Sequence, residues 1–77
     1  MCELPIIDIV ETGKRIKELR LKNNLSVRQL QTILGFGTPQ AIYKWQQGCA
    51  MPSLDNLVLL ASVFHVSVDE IIVIRGN

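Results

Sequence analysis

The chain has 77 residues, 48% of them hydrophobic and 19% charged, with a formal net charge of +1. That is room for one small domain, and the apolar content excludes an intrinsically disordered chain. The longest apolar run, Leu57 to Val66, is broken by Ser62 and His65 and is too short for a membrane-spanning helix.

Five helices are predicted in chain order. Asp8, with Glu11 three residues later, has the form of a capping box opening the first. Ile9, Gly13, Ile16 and Leu19 then share one face at helical spacing, and Asn23-Asn24 closes the helix. Residues 1–7 precede it as an arm or a disordered segment. Ser26 caps the second helix, whose inner face carries Leu30 and Leu34 and which Gly35 stops. After the tight turn Gly35-Phe36-Gly37, Thr38 caps a third helix with Pro39 in its first position, where a missing N–H does no harm. Ala41, Ile42 and Trp45 form its inner face, and Gly48 ends it. Ser53 caps the fourth, with Leu54, Leu57, Leu60, Ala61 and Phe64 at helical intervals. Ser67 caps the last, which carries Val68, Ile71 and Ile72 inward. The expected fold is one all-α, five-helix domain over 1–77, with a helix-turn-helix at about 26–47.

Several classes of chemistry are not supported. Cys2 and Cys49 are too few for a disulfide framework and have no metal-ligand spacing, and His65 is the only histidine. No nucleophile–base set, carboxylate pair or glycine-rich phosphate loop is present. No enzymatic activity, cofactor, metal or small-molecule ligand is therefore expected. The N-terminus lacks a secretory pattern, so the expected location is the cytoplasm, with free thiols and no membrane contact.

Charge is unevenly distributed. Lys14, Arg15, Lys17, Arg20, Lys22, Arg28 and Lys44 lie between residues 14 and 48 against the single acid Glu18. One side of a nearly neutral molecule can thus present a positive field. Two short helices joined by a glycine-bearing turn are the pattern of helix-turn-helix DNA binding. The second helix must then offer the major groove side chains that bond base edges. With Ile42 and Trp45 facing inward, Thr38, Gln40, Tyr43, Lys44 and Gln47 face outward, and none is a carboxylate. Gln pairs with adenine, Lys reaches guanine acceptors, and Thr38 and Tyr43 can donate to phosphate.

The run from Leu25 to Gly48, LSVRQLQTILGFGTPQAIYKWQQG, resembles the Cro and lambda-repressor class of helix-turn-helix, also called the xenobiotic-response-element type. Arg15-Ile-Lys-Glu-Leu-Arg20 resembles its first helix, and Pro52–Leu57 with Phe64–Val68 resembles its fourth helix and the entry to its fifth. The resemblance implies a lambda-repressor-like domain that acts as a homodimer on a palindromic operator, in a family of transcriptional regulators that are often repressors. Carried over by position, Gln40, Ala41 and Lys44 match base-facing residues. Thr38, Tyr43 and Gln47 match phosphate-near residues, and Ser26, Val27 and Arg28 match the start of the second helix, where the backbone approaches phosphate.

This sequence departs from the class at four places. Gly37 lengthens the turn by one residue, which can shift the third helix in the groove. Val27 stands where many members have a phosphate-contacting Gln. Gln31 replaces a small buried Ala, which implies looser or rearranged packing between the second and third helices. Gln46 replaces an acid that often pairs with the arginine at Arg20, leaving Arg20 to contact phosphate. The apolar end Ile71-Ile72-Val73-Ile74 suggests a dimer seam through Ile71, Ile72 and Ile74, with core packing as the alternative. A protein-interaction module, such as an antitoxin or anti-repressor that keeps the fold without DNA binding, is the alternative function.

Overall fold

The computed structural model describes residues 6–76. Its elements are β1 (Ile6–Ile7), α1 (Ile9–Lys22), α2 (Val27–Leu34), α3 (Gln40–Gln46), α4 (Leu54–Phe64), α5 (Val68–Ile71) and β2 (Ile74–Arg75). All five expected helices form. The one addition is a short antiparallel pairing of β1 with β2, in the register Ile6↔Arg75 and Ile7↔Ile74. Of the expected N-terminal arm, residues 1–5, with Cys2, lie outside the described residues, whereas Ile6 and Ile7 are paired rather than loose.

The helix ends follow local chemistry. Asp8 accepts the Glu11 N–H at 3.0 Å, but its own N–H donates to the Val73 carbonyl at 2.8 Å. The capping box is thus only half made, and Glu11 instead accepts from Lys14 Nζ at 3.0 Å. A complete box opens α2: Ser26 Oγ accepts from the Gln29 N–H, and Gln29 Oε1 accepts from the Ser26 N–H at 2.7 Å. Gly35 closes α2 in the left-handed conformation, with φ of 75°.

Two expected boundaries are corrected. Thr38 does not cap α3; Pro39 occupies the cap position, with no side-chain cap bond. The Pro39 carbonyl accepts the opening helical bond, from the Tyr43 N–H at 3.2 Å. Thr38 therefore lies one residue too early to serve that turn. The last helix also ends at Ile71, and Ile72 is already extended. The segment beyond is strapped to α1, because the Val73 N–H donates to Thr12 Oγ1 at 2.9 Å while its carbonyl accepts from Asp8.

Every helix contributes to one core. Ile16, Leu30, Ile42, Leu60 and Ile71 are fully buried, one from each, and Trp45, Leu57 and Phe64 close around them. The buried Ile71 cannot form a dimer seam; of the residues expected there, Ile72 packs against the core and only Ile74 is largely exposed. Leu54, expected inward, is 71% exposed at the first position of α4. Val27, which stands in place of a phosphate-contacting Gln, is half-buried against the core.

Helix α1 packs most extensively on α3, and Gly13 sets how closely. A Cβ at position 13 would overlap the Trp45 carbonyl oxygen and crowd the Gln46 backbone. On an exposed helix, Gly→Ala stabilises by about 1 kcal/mol. Here the overlap is with backbone, which cannot rotate away. Gly13→Ala is expected to reverse the sign and cost about 1–3 kcal/mol, read as a lower urea midpoint with an unchanged slope.

A pH effect is expected at α5. The Glu70 carboxylate accepts from the Ser67 N–H at 3.1 Å and the Ser67 hydroxyl at 2.9 Å. Those bonds hold its pKa below the ordinary 4.5. A carboxylate whose folded pKa is depressed contributes stability above its unfolded value and loses it as pH falls through the folded value. Amide exchange at Ser67 should therefore speed up, beyond the intrinsic change, as pH falls below the ordinary carboxyl value of 4.5 in the native chain, and lose that increment in Glu70→Gln.

Candidate nucleic-acid interface

Helix α3 has a buried back and an open front. Ile42 is fully buried and Trp45 nearly so, which leaves Gln40, Tyr43, Lys44 and Gln47 exposed and Ala41 half-buried. Thr38, in the turn before it, is exposed as well. Of the expected base-facing trio, Gln40 and Lys44 are exposed one turn apart, at i and i+4, and Ala41 is half-buried beside them. The Gln47 amide oxygen is approached by the Cys49 thiol at 4.0 Å, and Cys49 is free and exposed.

The start of α2 meets this face. Val27, Arg28, Gln31, Thr32, Pro39 and Tyr43 line one open cleft of about 330 Å³ in the crease between the two helices. Arg28 and Tyr43 thus line the same cleft from α2 and α3, and Gln31, Thr32 and Pro39, none of them an expected DNA contact, line it with them. Thr32 Oγ1 donates to the Arg28 carbonyl at 3.1 Å, a local bond with no sequence signal of its own. Ser26 is spent on its capping box, so what it offers an anion is the positive end of α2 rather than its own N–H. Val27 contributes packing and no polar side chain.

The field over this face is positive. No acid occurs between Glu18 and Asp55 in the sequence. Among the described residues the ion pairs are Lys14–Glu11 and Arg15–Glu18, both on α1. Arg28 and Lys44 are exposed and take part in neither.

Arg20 departs from expectation. It is only 8% exposed. Its Nε donates to Gln46 Oε1 at 2.8 Å and its Nη1 to the Leu25 carbonyl at 2.7 Å. The replacement of an acid by Gln46 does not release the guanidinium for phosphate, because an amide oxygen satisfies the same donor. Arg20 ties α1 to the entry of α2 and to the end of α3, and it is a positioning residue.

The lengthened turn is likewise held rather than loose. The Phe36 N–H donates to the Gln31 carbonyl at 3.0 Å, and Gln31 Nε2 donates back to the Phe36 carbonyl at 3.2 Å. The Phe36 ring meets Trp45 edge-on, with centroids 5.7 Å apart and planes at 69°. Gln31 thus grips the turn between α2 and α3.

Comparison with known proteins agrees with this geometry. A helix-turn-helix family model matches residues 16–71. The chain is 30% identical over 63 residues to the HTH-type transcriptional activator BcrR of Enterococcus faecalis, covering 82% of this chain and 30% of BcrR; it thus spans less than a third of that relative. Among solved structures it is similar to the restriction-modification controller protein C.AhdI of Aeromonas hydrophila, with a TM-score of 0.74 and 28% identity over 83% of this chain and 96% of that one. The DNA-binding domain of BldD shares the fold, with a TM-score of 0.72 at 16% identity, covering 86% of this chain and 94% of that one.

Arg20→Ala should act through stability. Loss of two hydrogen bonds to a buried cation is expected to cost about 2–4 kcal/mol, and Lys should restore only part of it, lacking the guanidinium fork. Arg28→Ala, on the open face, should stay within about 0.5 kcal/mol of the native chain. Parallel thermal melts of the three variants check this.

Proposed function

The chain belongs to the helix-turn-helix family, in its Cro/lambda-repressor class of DNA-binding transcriptional regulators, and we propose that it binds double-stranded DNA sequence-specifically with α3 in the major groove. The observation that carries this reading is the carboxylate-free front of α3, braced from behind by buried Ile42 and Trp45. Gln40 and Lys44 supply base-edge donors and acceptors, and the half-buried Ala41 offers an apolar contact for a thymine methyl. Arg28, Tyr43, Thr38 and Gln47 flank them as phosphate partners, with the start of α2 at Ser26 and Val27 turned toward the backbone of the duplex.

We further propose a homodimer on a two-fold operator, with repression by occlusion as the outcome. Ile71 takes no part in its seam, being in the core; the exposed Ile74 of β2 is the apolar C-terminal residue left for it. The name of BcrR points to activation in that longer relative, so the sign of regulation is read from a reporter gene carrying the bound site. A fall in expression supports repression, and a rise reassigns it. Neither an enzymatic step nor a cofactor enters this reading.

A protein-interaction module without DNA binding is the second reading. Its one supporting observation is the exposed apolar face of α4, with Leu54, Val58 and Leu59 open to solvent.

Titration of duplex DNA at several salt concentrations separates the two. Binding with a steep salt dependence is expected, with Lys44→Glu abolishing it at unchanged melting temperature. Arg28→Ala should weaken all sequences alike and lower the log–log salt slope by about one. Gln40→Ala should cost about 1–3 kcal/mol on the selected site and relax base choice there. Selection from a random pool should return a palindrome with half-sites about one helical turn apart. Absence of duplex binding at low salt would select the interaction module.

A further inference from the structure

We infer that Gln31 and Phe36 determine base specificity without touching a base, by setting the position in which α3 meets the groove; this rests on the DNA-binding reading above. The N-terminal end of α3 has no side-chain cap, with Pro39 in the cap position. Thr38 is exposed, and a Cβ at Gly35 or Gly37 would meet nothing within 4 Å. The turn leading into the helix therefore takes its support from elsewhere.

That support is Phe36, the turn residue packed against the core. Both of its backbone polar groups are bonded to one residue, Gln31: its N–H to the Gln31 carbonyl and its carbonyl to Gln31 Nε2. Its ring abuts Trp45 edge-on. Trp45 follows Lys44 directly and lies one turn after Ala41, so a displacement of the Phe36–Trp45 contact moves the base-facing residues with it. Base hydrogen bonds tolerate small errors poorly, because donor–acceptor geometry weakens steeply with distance and angle. Phosphate contacts come from long, flexible side chains and follow the backbone charge instead. Changing the clamp should therefore damage sequence discrimination and leave electrostatic binding in place, a split that a loss of folding would not produce.

The test uses conservative variants that keep the core filled. Gln31→Met keeps side-chain length and removes the donor; Phe36→Leu keeps an apolar residue and removes the ring edge. Each is titrated on the pool-selected duplex and on a scrambled duplex over a range of salt, with melting curves to confirm folding. The expected result is about a tenfold loss on the selected duplex, with affinity for the scrambled duplex and the salt slope unchanged. Repeating the selection with Gln31→Met should return a broadened or shifted site. Equal losses on both duplexes, or a fully retained preference in a folded variant, would overturn the inference while leaving DNA binding intact. Failure of the unaltered protein to bind any duplex would remove the DNA reading first, and this inference with it.

Discussion

Helix α1 lies so close to the end of α3 that the Trp45 and Gln46 carbonyls occupy the space a side chain at position 13 would need. The approach is repeated one turn away, where a Cβ at Gly48 would crowd Val10 at 2.9 Å, and where Gly48 itself has a φ of 75°. Only a residue without Cβ fits either place at no cost. This backbone-to-backbone seating fixes the rear of α3. Trp45 can then be buried rather than displayed, and the front of α3 is left for a partner.

The front and rear of α3 are secured by different means. At its end it is gripped by α1 through the two glycines and through Gln46, which accepts from the buried Arg20. At its beginning it has no capping side chain; the turn that feeds it is held through Phe36, whose backbone is bonded to Gln31 and whose ring meets Trp45 in the last turn of α3. Arg20 and Gln31 thus do related jobs, each joining backbone or side-chain groups of separate elements. Burying a cation such as Arg20 is tolerable because its donors find oxygen acceptors at 2.7 and 2.8 Å. The basic residues that remain outside then govern the surface field, and the acid-free stretch between Glu18 and Asp55 keeps it positive over α2 and α3.

Much of the architecture was legible in the residues. Ser26, Ser53, Gly35 and the Asn23-Asn24 pair mark helix ends by chemistry confined to a few neighbouring residues, and each does so in the structure. The 3.6-residue spacing of Ile16 and Leu19, of Leu57, Leu60, Ala61 and Phe64, and of Ile42 and Trp45 identified the buried faces. Spacing was less informative at the ends of elements. Leu54 begins its helix at the rim of the core, and Ile71-Ile72-Val73-Ile74 leaves its helix to be strapped on α1 by Thr12 and Asp8.

The front of α3 belongs to the same legible class, since which side faces out follows from where Ile42 and Trp45 stand on one short helix. Arg20 and Gln31 do not. Arg20 looks like a surface residue in the sequence, a basic residue on a basic helix, and Gln31 looks like a polar intruder where packing was expected to suffer. Their partners are 26 residues away at Gln46 and 5 residues away across a turn at Phe36. Local pattern reports periodicity and capping, which are properties of a few consecutive residues. Whether a polar side chain is spent inside the protein or left for a ligand depends on which acceptor the folded chain brings to it, and that is a matter of tertiary contact.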